Sequence, residues 1–101
     1  MHQWEVKFSP EANKELQSAI DYYNLQQPGL GLDFLLEFDK QIDHISFYPY
    51  ARAIRYLNVR FALINKFPYG IHYTIKENIN IIIVQTVLST FRNPEEHWKE
   101  R

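Results

Sequence analysis

After Pro49 the chain carries three stretches rich in β-branched and aromatic residues, Phe61 to Lys66, Tyr69 to Ile75 and Ile79 to Leu88, divided by Phe67-Pro68 and Glu77-Asn78. Strand-forming runs separated by short turn signals predict a β-meander, because neighbouring strands joined by so few residues must lie antiparallel. The unbroken run Ile81-Ile82-Ile83-Val84 predicts the most central strand, covered on both faces. A short piece at Ile54 to Leu57 predicts an edge strand.

The first half has a different period. Gln3 to Phe8 alternates Trp4, Val6 and Phe8 with polar residues, as a half-buried strand does. Ser9 and Pro10 then supply an N-cap and a first helical residue that needs no N–H donor. Ala12, Leu16, Ala19, Ile20 and Tyr23 recur at helical spacing, which predicts a helix to about Gln26. Pro28, Gly29 and Gly31 interrupt it, and Leu35, Phe38, Ile42 and Ile45 define a second helix face up to Pro49. The loop is short, so the two helices form an antiparallel hairpin. The sum is an α+β chain: an N-terminal strand, a helical hairpin, then a meander making a mainly antiparallel twisted sheet. Asn93-Pro94 stops the sheet and leaves residues 95–101 as a terminal turn or tail.

A length of 101 residues suits one domain spanning residues 1–101. With 46% hydrophobic and 23% charged residues it is neither disordered nor fibrous. The absence of cysteine excludes disulfides, thiolate zinc sites and a cysteine nucleophile, and suits the cytoplasm. No run of about 20 apolar residues calls for a membrane. His2, His44 and His72 have no metal-site spacing with carboxylates, and no Gly-rich phosphate loop or Ser-His-Asp order is legible, so the expectation is no metal and no cofactor.

The net charge of -1 is unevenly distributed. Residues 1–51 hold eight acids against three bases, the remainder four acids against eight bases, and Arg52 through Lys76 holds five bases and no acid. One part of the surface is thereby able to meet an anionic partner, unless these cations are simply solvated. Strand parity sets Arg60 and Lys66 on one face with Ala62 and Ile64, roughly 20 Å apart, as separate contacts. The plainer role for Arg60 is an ion pair with an acid of the hairpin. Tyr69 and Tyr73 share parity with Ile71 and Ile75, as a buried aromatic stripe with phenol oxygens at the rim would, or as a platform for a base or a partner side chain.

The words Ser9-Pro10-Glu11-Ala12, Ala19-Ile20-Asp21-Tyr22-Tyr23, Pro28-Gly29-Leu30-Gly31, Val59-Arg60, Phe67-Pro68-Tyr69-Gly70-Ile71-His72-Tyr73 and Arg92-Asn93-Pro94 followed by Trp98 occur in an order that resembles the RelE/ParE family of bacterial type II toxins over essentially the whole chain. The resemblance implies a sheet cradling a helical hairpin, a cognate antitoxin that wraps the toxin, and a target that is either DNA gyrase (ParE type) or ribosome-bound mRNA (RelE type). Operator DNA would be reached only through the antitoxin. Arg60, Lys66 and Arg92 are the target-binding candidates, Arg60 and Arg92 on this resemblance and Lys66 on its place in the basic stretch. A RelE-type nuclease would use Arg60, Arg92 and His97, with Arg92 stabilising charge on the attacked phosphate and His97 donating a proton to the leaving oxygen. The plainer roles are an exposed pair of Arg92 with Glu95 or Glu96 and a solvated His97. Phe34, Leu35 and Leu36 are expected antitoxin contacts, because helix two carries more apolar surface than one packing face consumes, and Trp98 either packs the tail onto the sheet or adds a further antitoxin contact.

Three departures separate the chain from the ribonuclease pattern. Gly70 stands where ribosome-dependent RelE nucleases carry an arginine after the first tyrosine of the strand, Ser89 stands where many relatives have a histidine, and the total charge is weakly acidic. They favour a ParE-like binder, or a member with weakened activity, over a standard ribonuclease. A non-toxic antitoxin-binding module that has lost its target site is the third reading.

Overall fold

The computed structural model describes residues 3–91. Strand β1 (Glu5–Phe8) leads into helices α1 (Pro10–Gln26) and α2 (Leu30–Phe47) and a 3-10 turn at Pro49–Ala51. Strands β2 (Ile54–Tyr56), β3 (Val59–Leu63), β4 (Tyr69–Lys76) and β5 (Ile81–Ser89) follow, with a second 3-10 turn at Glu77–Ile79. They form one sheet in the order β1-β5-β4-β3-β2, antiparallel from β2 to β5 and parallel between β1 and β5. The α+β architecture and the meander are those expected from the chain's periodicity.

Ser9 ties the first strand to the first helix. Its Oγ accepts the Ala12 N–H at 3.0 Å, capping α1, and donates to the Gln85 carbonyl at 2.7 Å, while its own N–H donates to Val84. The cap therefore also extends the β1–β5 ladder. At the hairpin, Gly29 adopts φ +91°, a left-handed conformation that glycine takes without steric cost, and serves as the N-cap of α2. Gly31 permits a close helix approach: a Cβ there would lie 2.5 Å from the Ile20 carbonyl oxygen, and the Gly31 N–H donates to Asn24 Oδ1 at 2.8 Å. Gly31→Ala is expected to cost about 1–3 kcal/mol by forcing the helices apart. A chemical-denaturation midpoint unchanged from wild type would refute that.

The core lies between the hairpin and one face of the sheet. Ala12 and Ala19 of α1, Phe34, Phe38 and Ile45 of α2, and Ala62, Ile71, Tyr73, Ile82, Val84 and Val87 of the sheet are all buried. The aromatic richness is concentrated at one end of this layer, where Phe34 packs 5.1–5.3 Å from the rings of Tyr23, Phe67 and Tyr69. Tyr73 is buried in the stripe expected of it, and its hydroxyl donates to the Pro49 carbonyl at 2.8 Å.

Two expectations about the strands are corrected. The Ile81–Val84 run is interior, but β4 holds the middle of the sheet, and the helices cover only one face of β5: Ile82 and Val84 are buried, whereas Ile81 and Ile83 retain partial exposure. Period two, rather than full enclosure, governs this run. Lys66 is not on a strand. β3 ends at Leu63, the Ile64 N–H donates to the Tyr69 carbonyl, and Lys66 turns the chain at φ +73°. It cannot share a strand face with Arg60.

The β4–β5 ladder carries a bulge, with His72 opposite Thr86 and Tyr73 opposite Val84. An extra residue disturbs backbone pairing. Glu15 of α1 bonds next to it, its Oε1 accepting from Thr86 Oγ1 at 2.6 Å and from the Val87 N–H at 3.0 Å. Among the described residues no helix is long and apolar enough to cross a membrane.

Candidate target-binding surface

Arg60 faces the same side of the sheet as Ala62 but lies near the 3-10 turn at Pro49–Ala51, across from Tyr73 and Ile54. Its Nη1 donates to the Arg52 carbonyl at 2.5 Å, and its Cζ stands 5.2 Å from the centroid of the Tyr50 ring. Among the described residues no acid of the hairpin pairs with it, contrary to the plainer expectation. A carbonyl and a π face orient the guanidinium without cancelling its charge. Tyr50 is fixed in turn by an edge contact with Trp4 at 6.1 Å and by a hydrogen bond from its phenol to the Glu77 carboxylate. That bond, with a smaller contribution from desolvation, raises the Tyr50 pKa above its ordinary value and keeps the phenol a donor. The Tyr73 pKa is also raised, chiefly by burial.

These groups open onto a cavity of about 620 Å³ whose walls include Tyr50, Ile54, Asn58, Arg60, Lys76 and Glu77. Lys66 belongs elsewhere. With Lys40 it flanks Glu37 of α2, at 3.8 Å and 3.3 Å, and Glu37 is only 8% exposed. Its charge is partly spent on a carboxylate, and it lies beyond the Tyr69 end of β4, whereas Arg60 pairs with Tyr73, about 13 Å along the strand.

The position of the missing nuclease arginine has a physical occupant. A Cβ at Gly70 would lie 2.0 Å from Cε1 of Phe61, so the ring covers the glycine on the sheet face away from the helices. Arg55 stacks on the same ring, with its Cζ 4.3 Å from the centroid, and His72 meets it edge-on at 5.0 Å. The Tyr56 hydroxyl is 3.1 Å from His72 Nδ1. Arg55 was not singled out by sequence reasoning; the only signal was its place in the basic stretch. Ser89, in the place of the frequent histidine, accepts the Phe91 N–H in a local turn.

A second concavity of about 630 Å³ lies over the hairpin end, lined by Tyr23, Leu30, Leu36, Glu37, Lys66 and Phe67 among others. Of the apolar trio expected to meet an antitoxin, Phe34 is 0% exposed and Leu35 packs against the core, while Leu36 is 51% exposed. Burial removes Phe34 from any surface. Arg92, His97 and Trp98 lie outside the described residues. Among the described residues no group of three His, Asp or Glu side chains is arranged to hold a metal ion.

Residues 6–94 match the family model described as the ParE toxin of the type II toxin-antitoxin system parDE. The chain belongs to the ParE toxin family. Among solved structures this ParE-family chain is similar to the chromosomal ParDE system from P. aeruginosa, at 17% identity and a TM-score of 0.74 over 88% of this chain and 98% of that one. It is also similar to the isolated E. coli RelE toxin, at 17% identity and a TM-score of 0.68 over 96% and 97% of the two chains. The toxin-antitoxin complex RelBE2 from Mycobacterium tuberculosis matches at 17% identity and a TM-score of 0.62, over 88% and 93%. These likenesses establish the shared fold. No curated protein matches the sequence significantly.

Proposed function

We propose that this ParE-family toxin inhibits DNA gyrase by surface complementarity, without turnover, and that a cognate antitoxin neutralises it in the cytoplasm. The observation that carries the preference for gyrase over ribosome-bound mRNA is Phe61 lying over Gly70: an aromatic ring fills the space of the phosphate-clamping arginine. A nuclease needs positioned charge at the attacked phosphate. Here Arg60 supplies an oriented cation at a different place, beside apolar and carboxamide groups that suit a protein surface. Support for the antitoxin partner comes from family membership and from solved relatives described as ParDE and RelBE2 toxin-antitoxin assemblies. The groove beside Leu36 is its docking place in this reading, with operator DNA contacted only through the antitoxin.

Arg60 and Arg92 are proposed to carry inhibition jointly, each docking a separate acidic or phosphate group. Growth arrest by wild type, Arg60→Ala, Arg92→Ala and the double variant at matched soluble levels tests this, with parallel gyrase supercoiling and ribosome-dependent mRNA cleavage assays. Each single change is expected to weaken supercoiling inhibition about tenfold and the double change to remove it. Full toxicity in the double variant would refute the assignment. Ribosome-dependent cleavage by wild type would replace gyrase with mRNA, and no growth effect would leave a non-toxic antitoxin-binding module.

A further inference from the structure

The Arg60 cavity combines features that recognise one kind of ligand. Two cations, Arg60 and Lys76, and two carboxamides, Asn58 and Asn78, face a space also bounded by Ile54 and Ile75. The Arg60 guanidinium is held from behind by the Arg52 carbonyl, which uses one N–H and leaves others for an acceptor in the cavity. One resident acid, Glu77, is engaged by the Tyr50 phenol. A nucleobase finds no ready platform, because the Tyr50 ring face is taken by Arg60 and the ring also meets Trp4. The apolar walls, by contrast, match the methylene stem that carries a side-chain carboxylate.

We propose that this cavity takes the carboxylate of an aspartate or glutamate side chain presented by the toxin's protein target, with Arg60 as the fork that grips it and Lys76 as a supporting charge. This rests on the reading that the target is a protein. The antitoxin is the less suitable source of the carboxylate, since the groove beside Leu36 lies at the other end of β4. A charge-assisted bond to a preorganised, partly desolvated guanidinium also makes Arg60 an anchor of the kind that dominates protein interfaces.

The test is a titration of the full-length protein followed by NMR, using three probes: a blocked hexapeptide with one central glutamate between leucines, the same peptide with glutamine, and hexauridylate RNA. The glutamate peptide should shift the Arg60 side-chain N–H and the amides of Asn58, Lys76 and Asn78. The glutamine peptide should bind about tenfold more weakly, Arg60→Gln should weaken the glutamate peptide by a similar factor, and hexauridylate should leave the cavity resonances in place. Should Arg60→Gln lower soluble yield, Lys76→Gln, at an exposed position, reads the same selectivity with a loss of about threefold. Absence of any shift up to roughly 10 mM glutamate peptide, equal binding of the glutamine peptide, or preference for hexauridylate each overturns the proposal. Supercoiling inhibition separates the two readings. If wild type inhibits gyrase and Arg60→Gln does so equally well, the carboxylate site falls while the gyrase reading stands. If the cavity selects glutamate but wild type leaves gyrase untouched, the site stands and the gyrase reading falls. Loss of antitoxin binding in Arg60→Gln with gyrase inhibition intact would assign the cavity to the antitoxin and overturn the proposal.

Discussion

Val84→Asp is expected to yield no soluble folded protein. Val84 is 0% exposed, pairs with Tyr73 on one side and Phe8 on the other, and its carbonyl accepts the N–H of the α1 cap Ser9. A carboxylate there is enclosed by the hairpin without a cation in the surrounding core cluster. Its desolvation costs several kcal/mol, a large share of the roughly 5–15 kcal/mol that holds a domain together. Ile83→Asp is the informative comparison. Ile83 lies on the other face of β5 with partial exposure, so its aspartate reaches water, and that variant should be destabilised yet recoverable. Soluble yield and the cooperativity of thermal unfolding by circular dichroism distinguish the two. Cooperative unfolding of Val84→Asp at wild-type temperature would mean that the face assignment is wrong.

Gly70→Arg, which writes the nuclease arginine back into the strand, is expected to destabilise the protein rather than to create a ribonuclease. Replacing a strand glycine ordinarily stabilises by about 0.5–1 kcal/mol, because glycine loses more backbone freedom on folding. The sign reverses here. The new Cβ would collide with Phe61 at 2.0 Å from Cε1 and 2.4 Å from Cζ, so the ring must swing away from Arg55 and His72. A loss of about 2–3 kcal/mol is expected, and Phe61→Ala in the same chain should recover part of it because the two sites share the space. Urea unfolding of the single and double variants measures the coupling. Additive effects would show that Phe61 is not what excludes a side chain at residue 70.

The basic stretch from Arg52 to Lys76 divides once the chain is folded. Arg60 points into an open cavity, Arg55 rests on an aromatic ring, and Lys66 meets the carboxylate of Glu37. Equal charge in the sequence therefore corresponds to unequal availability at the surface. The same holds for Phe34, Leu35 and Leu36. Consecutive helix residues fan out by 100° or so, which turns Phe34 into the aromatic cluster and leaves Leu36 on the groove.

By itself the sequence determined whatever depends on near neighbours along the chain. Ser9 and Pro10 start α1, Gly29 and Gly31 allow the hairpin, and the apolar period switches from helical to alternating after Pro49. The family words lie in these local features, which is why the fold was legible together with the membership. The tertiary structure decided what depends on residues far apart in sequence: the parallel docking of β1 beside β5, the meeting of Glu15 with Val87, the occupation of the space over Gly70 by Phe61, and the partners that leave Arg60 oriented and charged. Periodicity reports which face of an element a residue takes, because that is set by backbone geometry within a few residues. It carries no information about which distant group meets that face, since such a contact exists only after chain entropy has been overcome by packing the whole core.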